Sequence, residues 1–123
     1  MKRNYWAALV AASGIALTIA APAAWATEIA GDYTRPNGDK ARVSVSDGKL
    51  YCKIVSGSQP GFEMCHGMEK TGAGIWQGGQ MKHPSMPGMM TFNGTVTATA
   101  SGLSIKGCAV GQSMCDAENW ARN

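Results

Sequence analysis

Arg42-Val43-Ser44-Val45-Ser46-Asp47-Gly48-Lys49-Leu50-Tyr51-Cys52-Lys53-Ile54-Val55 alternates apolar and polar residues on both sides of Asp47-Gly48. A period of two belongs to a half-buried strand, and Asp-Gly accepts the two positive φ angles of a type I′ turn. The stretch therefore reads as a β-hairpin. Val43, Val45, Leu50, Cys52 and Ile54 are expected on its buried face, with Arg42, Ser44, Lys49 and Lys53 toward water. A second hairpin is expected from Thr91 through Thr99, a turn at Ala100-Ser101-Gly102, and a return arm from Leu103 to Cys108. Phe92, Val96 and Ala98 would face Leu103 and Ile105.

Weaker strand candidates lie at residues 29–34, 63–69, 74–81 and 116–122. From Thr27 onward no stretch sustains the 3.6-residue apolar period of a helix, and the chain's sixteen Gly and five Pro interrupt it often. The fold class is accordingly all-β, with seven or eight short strands. That number suits a small antiparallel meander barrel.

Upstream of this region the chain has the grammar of an export signal. Lys2 and Arg3 precede residues 7–24, which carry no charge, and Ala24-Trp25-Ala26 places small residues at the first and third positions before a cut after Ala26. Residues 1–26 are expected to be a cleaved signal peptide and residues 27–123 a single domain, located in the periplasm or secreted. The apolar run is short and rich in Ala and Gly, so no stable membrane anchor is expected after cleavage. The whole chain has eleven Lys and Arg against eight Asp and Glu, a formal +3. Without Lys2 and Arg3 the count is nine against eight, or +1. That balance lacks the basic footprint nucleic-acid binding requires.

All four cysteines follow the cut. An even count in a small exported domain reads as two disulfides rather than thiol chemistry. Three pairings are open, and Cys52 with Cys65 and Cys108 with Cys115 are favoured because both close short loops.

Ile29-Ala30-Gly31-Asp32-Tyr33, the arm Leu50-Tyr51-Cys52-Lys53-Ile54-Val55, Trp76-Gln77-Gly78-Gly79 with Pro84, and the tail from Gly107-Cys108 to Cys115-Asp116-Ala117-Glu118-Asn119-Trp120-Ala121-Arg122 together resemble a bacterial exported family catalogued as domain of unknown function 2147. The pieces occur in order across nearly all of residues 27–123. The resemblance implies a lipocalin-like barrel with no established reaction, and it supports the Cys108–Cys115 pair. It also implies closure of the barrel by Gly31 and Tyr33 against Trp120 and Arg122, with the guanidinium over an aromatic face. The chain departs from the family pattern at Tyr33, where Trp is usual, at Lys53, where Gly is common, and at His83, where Asp or Asn is typical.

Met81-Lys82-His83-Pro84-Ser85-Met86-Pro87-Gly88-Met89-Met90 packs four thioethers and an imidazole into ten residues, and Met64, His66 and Met68 form a smaller group. Thioether and imidazole suit Cu(I), and disulfide formation removes cysteine from competition. Copper held by Met81, His83, Met86, Met89 and Met90 is therefore one expectation. Against it stand the readings of methionine as a filler of gaps in a small core and as the lining of a mouth for a hydrophobic ligand. Catalysis is not expected. Cys65-His66 could pair a thiolate with a base only if Cys65 were reduced, and Asp116 and Glu118 alternate along a strand as a solvated face would. The leading expectation is a non-catalytic barrel without a cofactor that binds a small apolar or amphipathic ligand or serves the cell envelope; the runner-up is a periplasmic copper-binding protein.

Overall fold

Asp47 and Gly48 both adopt positive φ angles, 52° and 76°, and the strands on either side pair with Ser46 opposite Lys49 and Val43 opposite Cys52. The hairpin forms as its alternation dictates, because Val43, Leu50, Cys52 and Ile54 all point into the core. Val45 is the exception, at 37% exposure. It sits beside the turn, at the rim of the barrel, where the opposite wall no longer covers it.

The computed structural model describes residues 29–109 and 113–123; the signal peptide expected at 1–26 and the cut before Thr27 lie outside them. Eight strands follow in order: β1 Gly31–Thr34, β2 Lys40–Ser46, β3 Lys49–Ser56, β4 Glu63–Gly72, β5 Ile75–Met81, β6 Phe92–Ala98, β7 Gly102–Ala109 and β8 Met114–Arg122. Each pairs antiparallel with the next, and β8 returns to β1, so the sheet closes into an eight-stranded meander barrel. Closure gives every strand a hydrogen-bonded neighbour on both sides, so no strand is a free edge of the sheet.

The second hairpin sets Val96 opposite Ile105 and Ala98 opposite Leu103. Its inward residues join Tyr33, Val43, Leu50, Ile54, Met68 and Trp120 in the core. Two disulfides staple this small core. Cys52–Cys65 joins β3 to β4 inside the barrel, and both residues belong to the core cluster. Cys108–Cys115 joins the end of β7 to the start of β8. Cys108 is out of phase with Leu103 and Ile105, so this bridge lies on the outer side of the wall.

β1 and β8 share the shortest seam, pairing Tyr33 with Arg122 and Thr34 with Ala121. Side chains reinforce it. Arg122 Nη1 donates to Tyr33 Oη at 2.8 Å, Nη2 donates to the Ala30 carbonyl at 2.9 Å, and the guanidinium carbon lies 5.3 Å from the Tyr33 ring centroid. Tyr33 in turn donates to the Ile29 carbonyl at 2.7 Å and packs at 6.4 Å, tilted, against Trp120. Gly31, with φ at +153°, leaves the guanidinium its space, since a Cβ there would come to 3.0 Å from Arg122 Nη2.

Candidate functional site

In an antiparallel meander the β1–β2, β3–β4, β5–β6 and β7–β8 connections all fall at one end. That end is an open mouth holding a cavity of about 560 Å³. β4 and β5 bring Met64 and Met81 to it, β6 and β7 bring Phe92 and Ile105, and β8 brings Met114, Asp116 and Glu118. The β5–β6 connection adds His83, Ser85 and Met86.

The interior is open here for a reason visible in the sequence. Gly94 and Gly107 are paired neighbours on β6 and β7, and the Met81 side chain lies across them. A Cβ on Gly94 would stand 2.5 Å from Met81 Cε and 2.9 Å from its sulfur, and one on Gly107 would stand 3.2 Å from the same sulfur. Two absent side chains thus set the depth to which the thioether can settle.

One wall of the mouth is ionic. The β1–β2 connection turns Arg35 inward, where it and Asp39 are both 5% exposed. Arg35 Nη1 donates to Asp39 Oδ2 at 2.9 Å, and its Nε donates to Glu118 Oε1 at 2.9 Å. Trp120 Nε1 donates to the same Glu118 oxygen at 2.6 Å. Burial opposes ionisation of Glu118, but the hydrogen bonds from Arg35 and Trp120 and the charge of Arg35 outweigh it and hold the carboxyl below its ordinary value. Desolvation likewise opposes ionisation of Asp39, and hydrogen bonds from the Asn37 side chain and the Ser58 N–H, together with Arg35, outweigh it.

His83 meets this wall with Nε2 3.8 Å from Glu118 Oε2. The Ser85 N–H can only donate, and it points at His83 Nδ1 at 3.1 Å. Nδ1 is therefore an acceptor, which leaves the ring proton on Nε2, toward the carboxylate. The β5–β6 connection is further tied down by Gln59 Nε2, which donates to the Pro84 carbonyl, and by the Lys82 N–H, which donates to the Met64 carbonyl.

The solvated face expected at Asp116 and Glu118 holds for Asp116, which is exposed, and is corrected for Glu118, which lies two residues from the inward Trp120 and is half-buried in the Arg35 network. Of the methionines and histidine proposed for copper, Met81, His83 and Met86 line the cavity, whereas Met89, 90% exposed, and Met90 stand outside its wall. Met64 and Met114, distant in sequence, take their place. Cys65 is bridged and the described residues contain no free thiol, while His66 lies outside, 2.9 Å from Glu63 and edge-on to Tyr51.

No family model, curated protein or solved structure matches this chain. The resemblance to domain of unknown function 2147 rests on the residues quoted for it. A second depression, of about 530 Å³, opens on the side of the barrel around Tyr51, His66 and Gln77, and the Lys49–Glu69 ion pair borders it. Its lining mixes Lys49, His66, Glu69, Thr71, Gln77 and Gln80 with glycines and Tyr51, and it lacks the apolar floor of the mouth. Arg35, Asp39 and Glu118 escaped the sequence reading because charged residues in turns and strand ends ordinarily face water. The one available signal was the two-residue spacing from Glu118 to Trp120.

Proposed function

We propose that this chain is a non-catalytic binding protein, periplasmic or secreted, and that its ligand is a small apolar or amphipathic molecule held in the mouth of the barrel. The observation that carries this reading is the cavity's division into two halves. Met64, Met81, Phe92 and Ile105 form an apolar floor, and His83, Ser85, Asp116 and Glu118 form a polar rim. An apolar pocket with a few converging polar groups is the usual form of a small-molecule site, and its volume lies in the range such sites occupy.

Other features agree. Two disulfides fit an oxidising compartment, and the sequence up to Ala26 has the form of an export signal. All four cysteines are bridged, and the two most strongly held carboxylates serve an ion network rather than a reacting centre. The family resemblance, which implies a lipocalin-like barrel without an established reaction, points the same way.

The test uses the neutral amphipath N-phenyl-1-naphthylamine, whose fluorescence rises in apolar surroundings. The purified protein should bind one molecule per chain. Ala109→Trp places an indole into the cavity lining and should weaken binding at least about tenfold, the cost of about 1.4 kcal/mol. Absence of saturable binding, or equal binding by the variant, would overturn the proposal.

A further inference from the structure

We propose that the mouth also holds one Cu(I) ion, bound by the thioether sulfurs of Met64, Met81, Met86 and Met114, the last two exposed at the rim, and not by His83 or by Met89 and Met90, which do not line the cavity. The inference rests on the mouth being a binding site, but not on the organic ligand proposed for it. Four separate segments, β4, β5, the β5–β6 connection and β8, each contribute a thioether to one cavity. Such donors are soft and neutral, which suits a monovalent soft cation and suits Zn(II), Mg(II) or Ca(II) poorly. Among the described residues, no group of three or more His, Cys, Asp or Glu could hold a metal in their place.

Electrostatics favour the same ion. No described Lys or Arg lines the cavity, and the two carboxylates that do are unlike each other. Glu118 is already matched by Arg35, whereas Asp116 has no cationic partner among the described residues. Neutral sulfurs leave the single positive charge on Cu(I), and Asp116 balances it at the rim. An anion would meet only repulsion there.

Sequence proximity had pointed to the imidazole, and its hydrogen bonds argue otherwise. His83 Nδ1 is occupied by the Ser85 N–H, and Nε2 carries the ring proton toward Glu118. Ligation through either nitrogen would break one of these arrangements. Met81 is the opposite case, because its sulfur rests against Gly94 and Gly107, held in place with no polar partner to give up. Binding involves no electron transfer, since copper is taken up and held as Cu(I).

The experiment is an anaerobic competition for Cu(I) between the purified protein and bicinchoninate, followed by X-ray absorption of the copper. The expected result is one Cu(I) per chain with a sulfur-only first shell. Met81→Leu, and separately the Met86→Leu/Met114→Leu pair, should lower affinity at least about tenfold, the loss seen even for outer-shell changes at metal sites. These swaps conserve volume and should leave the fold in place, which the thermal midpoint of each variant checks. Met89→Leu/Met90→Leu and His83→Gln should stay within about twofold of the parent. No competition with bicinchoninate, nitrogen in the first shell, a tenfold loss in His83→Gln or in the loop pair, or equal retention of Zn(II) would each overturn the proposal. Naphthylamine binding measured on the same samples separates the two readings: Cu(I) failing while the dye binds defeats this inference alone, and the reverse defeats only the organic ligand.

Discussion

Tyr33→Phe and Arg122→Ala, made singly and together, probe the seam on which barrel closure depends. Tyr33→Phe removes a hydroxyl that donates to the buried Ile29 carbonyl at 2.7 Å and accepts from Arg122 at 2.8 Å. A neutral bond contributes about 0.5–1.5 kcal/mol and a charge-assisted one about 1.5–3. The second belongs at the low end because Arg122 is exposed, so the substitution should cost about 2–3 kcal/mol. Arg122→Ala loses the same bond, the bond to the Ala30 carbonyl and a cation–π contact worth about 0.5–1 kcal/mol at an exposed site. The two changes share one lost bond, so the double variant should be less destabilised than the sum by about 1.5 kcal/mol. Urea unfolding followed by tryptophan fluorescence measures this, provided the slope with denaturant is unchanged across the four proteins. Because β1 and β8 pair at only two positions, these side chains have to carry much of the seam. Additivity to within about 0.3 kcal/mol would mean that they do not couple, and the account of closure would be wrong.

Two further outcomes follow from the staples and the ionic wall. Replacing Cys52 and Cys65 by Ser should cost about 3 kcal/mol and replacing Cys108 and Cys115 about 2.5 kcal/mol, since the bridges span 13 and 7 residues and loop-closure entropy grows slowly with length; a larger loss from the second pair, by thermal or urea unfolding, would contradict this ordering. Stability should also fall in acid. Asp39 and Glu118 have folded pKa values below their ordinary 3.8 and 4.5, so the unfolded chain takes up protons first, and the stability they contribute is complete above about pH 4.5 and lost as pH falls through the folded values. Glu118→Gln should flatten that part of the pH profile, and an unchanged profile would show that the network does not titrate with folding.

The hairpin at Asp47-Gly48 was legible because its turn chemistry and its period of two agree, and nothing distant opposes them. Val45 was misjudged because period alone does not say where a strand leaves the barrel wall. The strands at both ends of the domain were weak in sequence, because each is completed by a neighbour at the far end of the chain: Arg122 explains Gly31 and Tyr33 only once β8 returns to β1. The ionic wall was hidden for a similar reason. Arg35 and Glu118 are 83 residues apart, and neither carries a local sign of burial. The methionines show the same limit. Clustering from Met81 to Met90 is a property of the chain, whereas the cavity selects by strand end, taking Met64 and Met114 and leaving Met89 and Met90 outside.

Methyl-labelled methionine reports directly on whether a ligand sits in the mouth between these methionines. In carbon–proton correlation spectra of the protein carrying labelled methionine methyls, titration with N-phenyl-1-naphthylamine should move the resonances of Met64, Met81, Met86 and Met114 together, with one saturation curve. Met68, which is buried away from the cavity, and Met89, which is solvent-exposed, should stay in place. Movement confined to Met89 and Met90, or dye binding that leaves all four mouth methionines unmoved, would contradict the account.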